Sequence, residues 1–218
     1  MIRVRNIAIF GVVVVCSGMP TGIRQFADAR MKELILYVAS YCHKAEVLGK
    51  LGGVKLNKIL FYADFGAYLK LGQPITGQEY FALDWGPAPK RMRVIQEEMT
   101  ASGELRIERA AVGAGWTQHI FIPYRAPNLS MFSAEEISLV DQCINRFILK
   151  SASDVSDESH EFLGWDSAEL EEVIPYSSAY LDAPHILGES LVRKPSKTAL
   201  THARSLEGMA AVALGKHA

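Results

Sequence analysis

A long helical pattern around residue 60 constrains the fold more than any other feature of the sequence. Residues 54–71, VKLNKILFYADFGAYLKL, carry apolar side chains on nearly all faces of a helix. One stripe consists of Leu56, Ile59, Leu60, Ala63 and Ala67, and it is widened by Phe61, Tyr62, Phe65 and Leu69. A helix that is apolar almost all round is usually buried at the centre of its domain. Gly72 and Pro74 indicate its end, because glycine favours the position after a helix and proline cannot continue one.

Further helices are predicted on both sides of this central helix. Apolar residues recur at helical spacing over residues 23–48 and 90–101. A capping box that begins at Ser133 opens another helix. Ser153 is predicted to cap a short helix that ends near Gly164.

Three segments are predicted to form β-structure. PITGQEYFAL, residues 74–83, is predicted to contain a short strand. ELRIERA, residues 104–110, and the alternating WTQHIFIPYR, residues 116–125, are separated by a VGAG turn, which indicates a β-hairpin. The predicted fold class is therefore α+β, a mainly α-helical single domain with a small antiparallel β-sheet or hairpin, covering residues 23–184.

Both ends of the chain differ from this domain. Residues 1–22 form an apolar extension with a run from Ile7 to Cys16, which resembles a signal peptide and is shorter than the roughly 20 residues that span a membrane. Alternatively, translation starts at Met19 or Met31, or the valine-rich run forms a β-strand. Residues 185–218 contain no aromatic side chain and are predicted to be a tail, loosely attached or forming one surface helix.

Charge and cysteine content argue against some classes of protein. The formal net charge is −1, so the chain as a whole is not expected to attract nucleic acid, although Lys90 and Arg91 lie in a small basic cluster. The three cysteines, Cys16, Cys42 and Cys143, are odd in number and lack CxxC spacing, which disfavours a zinc site or a disulfide framework. We expect buried free thiols in a reducing cytosol.

The segment ALDWGPAPKRM predicts a stiff corner in the backbone. Gly86 permits a turn that other residues resist, and Pro87 fixes its own backbone angle and has no N–H donor. The corner carries Trp85 and is followed by Lys90 and Arg91. It is either a structural elbow or a surface that binds a partner. In the second case Trp85 would be the anchor, and the two cations could meet an acidic partner surface.

Few residues suggest catalysis. The sequence has no phosphate-binding loop, no HExxH and no GxSxG. His160 lies among carboxylates in SDESHEFLGW, and these would raise its pKa and could make it a proton carrier. His160 could instead donate to a backbone carbonyl and fasten its helix, or bind a metal ion with Asp157 and Glu161. Trp165, which follows Gly164, suits either core packing or an interface.

Several motifs, taken in order, resemble one protein family. The chain is similar to the Panacea domain, the SocA-like antitoxin family that is also found in phage-associated proteins, over about residues 31–181. The motifs that carry the resemblance are KLNKILFYA at residues 55–63, Gly72-x-Pro74, Trp85-Gly86-Pro87, Ser159-His160, Gly164-Trp165 and Ile174-Pro175-Tyr176. Asp64 and Ala88 depart from the family pattern, in which glutamine and valine are common at these places.

The resemblance implies a cytoplasmic antitoxin without catalytic residues, cofactor or metal. Such a protein neutralises a cognate protein toxin by direct binding, and in the SocA branch it delivers the toxin to an AAA+ protease. Neither nucleic acid nor a membrane is an implied partner, and a cytoplasmic location favours a later translation start over a signal peptide. A small hydrolase that uses His160 and nearby carboxylates is the alternative that the residues leave open.

A partner-binding site can be predicted from the same motifs. Its residues are Trp85, Gly86, Pro87, Lys90, Arg91, His160 and Trp165. Because family members look like neutralisers of unrelated toxins, the recurring motifs could equally be scaffold, with recognition left to less distinctive positions.

Overall fold

The computed structural model describes residues 21–111, 115 and 117–189. Its helices are α1 (Thr21–Lys44), α2 (Gly53–Leu71), α3 (Met92–Ala101), α4 (Ala134–Phe147), α5 (Ala152–His160), α6 (Leu163–Asp166) and α7 (Ala183–Leu187). Its strands are β1 (Tyr80–Phe81), β2 (Ala88–Pro89), β3 (Leu105–Ala111), β4 (Thr117–Pro123) and β5 (Val173–Ile174). Short 3-10 segments occur at Leu48–Lys50, Leu129–Met131 and Tyr176–Leu181. The predicted fold class is confirmed: the structure is α+β and mainly helical.

Helix α2 is the centre of the fold, as its apolar pattern predicts. All of residues 55–67 except Asn57 are buried, and α2 packs against α4, α5 and α7. Phe61 and Phe65 lie with ring centroids 4.2 Å apart, and both contact the rings of Tyr80 and Phe162. The strongest sequence signal therefore marks the element around which the others assemble.

Two small antiparallel sheets flank this helical core. In the first, β1 lies between β2 and β5, with Tyr80 opposite both Pro89 and Ile174. The second is the β3–β4 hairpin, in the register expected from its alternation. The predicted strand in residues 74–83 is reduced to the two residues of β1, and neither β2 nor β5 was predicted.

A buried carboxylate holds the segment that enters β1. Asp64 of α2 is fully buried and accepts hydrogen bonds from the Thr76 backbone N–H at 2.7 Å and from the Tyr80 hydroxyl at 2.8 Å. The Thr76 hydroxyl is a further donor. Burial raises the pKa of Asp64, although these donors oppose the shift. The carboxylate replaces main-chain partners that a longer strand would otherwise supply.

The region after α4 corrects one prediction. Ser133 caps α4 through a capping box, as predicted, but the N-cap of α5 is Ser151 and not Ser153. Helix α5 ends at His160, and the chain near Gly164 belongs to a separate short helix, α6. The physical reason is that Ser151, but not Ser153, has an acidic residue three positions later that can return the capping bond.

The predicted domain end lies close to a well-packed helix. Ile186 of α7 is 2 % exposed, and the Tyr62 hydroxyl lies 2.7 Å from His185 Nε2. The guanidinium of Arg146 donates to the carbonyl oxygens of His185 and Ile186 at 2.8 and 3.0 Å. The first residues of the predicted tail thus contact the core.

Several interpretations concern residues outside the described part of the chain. These are the nature of residues 1–20, the VGAG turn apart from Gly115, Cys16, and residues 190–218. Within the described part, Cys42 and Cys143 are buried free thiols, and burial raises their pKa values to about 11 and about 12. None of the described helices is both long and apolar enough to cross a bilayer.

Candidate partner-binding surface

The backbone of the Trp85 corner is fixed by a buried lysine. Lys58 projects from α2, is 1 % exposed, and donates through Nζ to the carbonyl oxygens of Trp85 at 2.5 Å and Pro87 at 2.9 Å. The Ser156 hydroxyl also donates to the Trp85 carbonyl, at 3.2 Å. Burial lowers the pKa of Lys58 to about 7. One amino group on the central helix therefore holds both sides of the turn.

Gly86 is the residue that makes this anchoring possible. Its φ of +82° lies in the left-handed region, which is unfavourable for residues with a Cβ. A Cβ at this position would lie 2.1 Å from Ser159 Oγ and 2.9 Å from Lys58 Nζ. Pro87, Ala88 and the backbone at Gly86 are buried, so this part of the corner is structural.

The side chain of Trp85 is not part of that structural contact. It is 59 % exposed, and its indole makes no hydrogen bond or ring contact with another described residue. The backbone of the corner is therefore the structural elbow of the first interpretation. The exposed indole, which extends from this fixed backbone, leaves the partner-binding interpretation as a prediction.

His160 and Trp165 contact each other and the backbone of the residues that precede Trp85. Their rings stack with centroids 3.9 Å apart and planes at 16°. Trp165 Nε1 donates to the Leu83 carbonyl at 3.2 Å, and His160 hydrogen-bonds the backbone of Asp84. Sequence analysis predicted both residues in the site, and the structure brings them to the segment that leads into Trp85.

The predicted increase in the pKa of His160 is wrong. Burial and the nearby ammonium of Lys58 lower this pKa, and their effect exceeds that of Asp157. Neighbouring carboxylates in the sequence are mostly turned to solvent, while the buried lysine comes from a distant helix. His160 Nε2 is buried without a hydrogen-bond partner among the described residues. The ring packs against Trp165 and hydrogen-bonds the backbone of Asp84, which is the arrangement expected if His160 fastens its helix.

Lys90 and Arg91 are both paired within the chain. Lys90 lies 3.0 Å from a carboxylate oxygen of Glu79. Arg91 forms a two-pronged pair with Asp28, with distances of 2.8 to 3.0 Å. Arg91 therefore helps join the corner to α1, and neither cation is an uncompensated charge beside Trp85.

The comparison with known families agrees with this arrangement of motifs. A family model for the antitoxin SocA-like Panacea domain matches residues 56–166, just over half of the chain.

The chain belongs to this family. The resemblance drawn from the sequence motifs is thereby confirmed, and the matched range extends from α2 to α6. No curated protein and no solved structure matches the chain significantly.

Two residues of the sequence motifs, one of them beyond the matched range, have structural roles here. Gly164 lies against Phe162 and Ser178, where a Cβ would approach each to 2.5 Å. Tyr176 donates to the Gln78 carbonyl at 2.7 Å. The contacts of Lys58, Ser156 and Ser159 with the corner were not predicted from the sequence. A lysine inside the apolar pattern of α2 was the available signal, because a buried lysine needs acceptors.

The geometry gives the hydrolase alternative no support. Among the described residues, no group of three or more histidines, cysteines and carboxylates could hold a metal ion, so Asp157, His160 and Glu161 do not form one. Two clefts, of about 30 and about 400 Å3, indent the described surface on the side of α2 and α4. Neither is lined by His160. The exposed Trp85 corner remains the candidate functional surface.

Proposed function

We propose that this Panacea-domain protein is an antitoxin that neutralises a cognate protein toxin by direct contact, and that Trp85 anchors the contact. Membership of the SocA-like antitoxin family supports the antitoxin role. The observation that carries the site is the 59 % exposure of an indole on a backbone fixed by Lys58 and Ser156. A rigid aromatic loses little conformational entropy on binding, and such residues dominate many protein interfaces.

The roles of the predicted site residues differ under this proposal. Trp85 contacts the partner directly. Gly86 and Pro87 set the corner, Arg91 joins it to α1, and His160 with Trp165 supports it from below. Lys90 is already paired with Glu79, and an exposed ion pair of this kind contributes little, typically under about 1 kcal/mol.

Co-expression with the product of the adjacent gene tests the antitoxin role. We expect the neighbour alone to stop growth, and co-expression of the full chain to restore growth and yield a complex on gel filtration. Restored growth with a shortened half-life of the neighbour, and without a stable complex, would indicate delivery to an AAA+ protease instead. Absence of both effects would contradict the proposal.

The Trp85→Ala variant tests the anchor. We expect it to weaken toxin binding by about 30-fold or more, corresponding to about 2 kcal/mol, because it removes a large rigid contact. Its free energy of unfolding should stay within about 0.5 kcal/mol of the original, since the side chain is exposed. Calorimetric titration and urea denaturation measure the two quantities.

Tyr124→Ala is the matched control for this variant. Tyr124 is an aromatic residue of similar exposure, 56 %, just beyond β4. Its replacement should leave toxin binding unchanged. If Trp85→Ala binds as tightly as Tyr124→Ala, the corner is not the anchor.

A further inference from the structure

The chemistry of the surface around Trp85 indicates what kind of partner it fits. Residues 81–86 run beside a later segment that includes α5, α6 and β5. Five successive contacts join the two segments: Phe81 with Val173, Ala82 with Glu171 and Glu172, Leu83 with Trp165, Asp84 with His160, and Trp85 with Ser156. Side chains from both segments therefore share one surface.

Apolar side chains on these segments are exposed together with Trp85. Leu163 is 44 % exposed, Leu170 63 % and Val173 39 %. We call Trp85 with these three residues the corner patch. Val173 is itself one of the five contacts, Leu170 adjoins Glu171 in the chain, and Leu163 lies two residues before Trp165. Neighbouring exposed apolar side chains are typical of protein interaction sites.

The rim of the corner patch is acidic. Residues 151–189 contain ten carboxylates and no lysine or arginine. Asp84, Asp157 and Glu161 are exposed and form no salt bridge with a described residue. All three lie at or next to contacts of the five listed above.

Cations in contact with the corner or just after it offset little of this charge. Lys58 is buried, Lys90 is paired with Glu79, Arg91 is paired with Asp28, and Arg93 lies 3.9 Å from Glu97. The sequence interpretation, in which Lys90 and Arg91 meet an acidic partner, therefore has the opposite sign to the exposed charge. Complementary interfaces place a positive surface against a negative one, which speeds encounter and excludes wrong partners.

We propose that the corner patch receives a protein surface that is apolar at its centre and basic at its rim. This inference deepens the proposed function, on which it rests, by assigning the chemistry of the toxin face that contacts Trp85. Trp85 enters an apolar depression of the partner, and lysine or arginine side chains around that depression face Asp84, Asp157 and Glu161.

The test is a triple charge reversal, Asp84→Lys/Asp157→Lys/Glu161→Lys, measured against the toxin identified by co-expression. Reversal of rim charges acts mainly on the association rate. We expect the association rate constant at low ionic strength to fall at least about 10-fold, with a smaller change in the dissociation rate. The original chain should lose affinity as salt is raised, and the variant should lose less or none.

Glu46→Lys/Glu97→Lys/Glu108→Lys is the matched control. These three carboxylates are also exposed, and none belongs to the corner patch or its rim. Glu97 on α3 and Glu108 on β3 each pair with an exposed arginine, so the control also reports the effect of losing such surface ion pairs. The control has the same net charge as the test variant, so a long-range effect of total charge would slow both equally. A neutral triple, Asp84→Asn/Asp157→Asn/Glu161→Gln, should have an intermediate rate. Circular dichroism checks that each variant is folded.

A defined probe separates this inference from the antitoxin role. A 16-residue peptide of alternating lysine and leucine should bind the original chain and lose at least about 10-fold in affinity for the test triple and for Trp85→Ala, but not for the control triple. A glutamate–leucine peptide should not bind. The peptides could bind as expected while the neighbouring gene product is not neutralised. That result would support the basic-partner inference and contradict the proposed antitoxin function.

The reverse result is equally distinct. A toxin that is neutralised by the original chain and by the test triple at the same association rate would overturn the inference and leave the antitoxin role intact. Equal slowing by the test and control triples would also overturn it, because the effect would then come from net charge and not from the corner patch.

Discussion

At the scale of single residues, the absence of a Cβ at Gly86 permits the turn to lie close to α2 and α5, which are distant in the chain. Gly86 lies in left-handed geometry directly over Ser159 and the amino group of Lys58. A Cβ there would displace the Ser159 hydroxyl and the Lys58 amino group, and the latter is a group that holds the turn. The identity of residue 86 is therefore set by its neighbours in space as well as by its own backbone angle.

Gly86→Ala should lower the free energy of unfolding by about 2–4 kcal/mol, because strain in the left-handed region adds to overpacking. Gly77→Ala is the control, since Gly77 has a similar φ of +73° but no atom within 4 Å of the added Cβ. It should lose only about 1 kcal/mol. Urea denaturation of both variants gives the comparison, and equal losses would mean that the contact with Ser159 and Lys58 contributes nothing.

Residue types were easier to predict than residue environments. The turn formed by the glycine and prolines of the corner could be predicted from local chemistry, and the role of the exposed Trp85 in binding stays a prediction. The direction of the pKa shift of His160 could not be predicted from local sequence, because the charge of Lys58, about a hundred positions earlier, contributes to it. Likewise, the pairing of Arg91 with Asp28 depends on how α1 packs, which local sequence does not specify.

At the scale of elements, α5 is defined by its first turn. The Ser151 hydroxyl accepts from the Asp154 backbone N–H at 3.0 Å, and the Asp154 carboxylate accepts from the Ser151 N–H at 3.3 Å. This capping box sets the register in which Ser156 and Ser159 face the corner. The cap of α5 thus contributes indirectly to the position of Trp85.

Ser151→Ala should cost about 1 kcal/mol of stability, since it removes the cap acceptor. Ser153→Ala is the natural control, because Ser153 is exposed and lies inside the first turn without a capping role. Its effect should stay within about 0.5 kcal/mol. Thermal unfolding followed by circular dichroism distinguishes the two, and a larger loss for Ser153→Ala would contradict the observed cap.

Long periodic elements were predictable, and two-residue strands were not. Helices α2 and α4 and the β3–β4 hairpin each give enough repeats for a clear period. Strands β1, β2 and β5 are too short to show alternation, and they are positioned by Asp64 and by pairing with segments far away in the chain. Their existence is a consequence of tertiary structure.

At the scale of the whole molecule, α2 is enclosed by elements from almost the entire described chain. Helix α7 completes this enclosure, since Arg146 and Tyr62 hold it through polar contacts and Ile186 fills the core. The absence of aromatic residues after position 185 suggested that the domain had already ended. The contacts of one buried isoleucine and of two backbone carbonyls extend the domain through α7, and such contacts have no strong sequence signature.

Ile186→Ala should therefore lower the free energy of unfolding by about 2–4 kcal/mol through loss of buried methyl groups and formation of a cavity. Leu181→Ala, at a side chain that is 65 % exposed, should change it by less than about 0.5 kcal/mol. Chemical denaturation of the two variants is the measurement. A negligible effect of Ile186→Ala would place α7 outside the cooperative unit.

The separate roles of the backbone and the side chain at residue 85 have a consequence for the evolution of partner specificity. The bonds that fix the corner there use the backbone carbonyl of Trp85, and the indole makes none. Many side chains could therefore replace the indole at position 85 without loss of the hydrogen bonds that hold the corner. Selection, natural or in a library of position-85 variants, could exchange one partner preference for another while the fold stays constant.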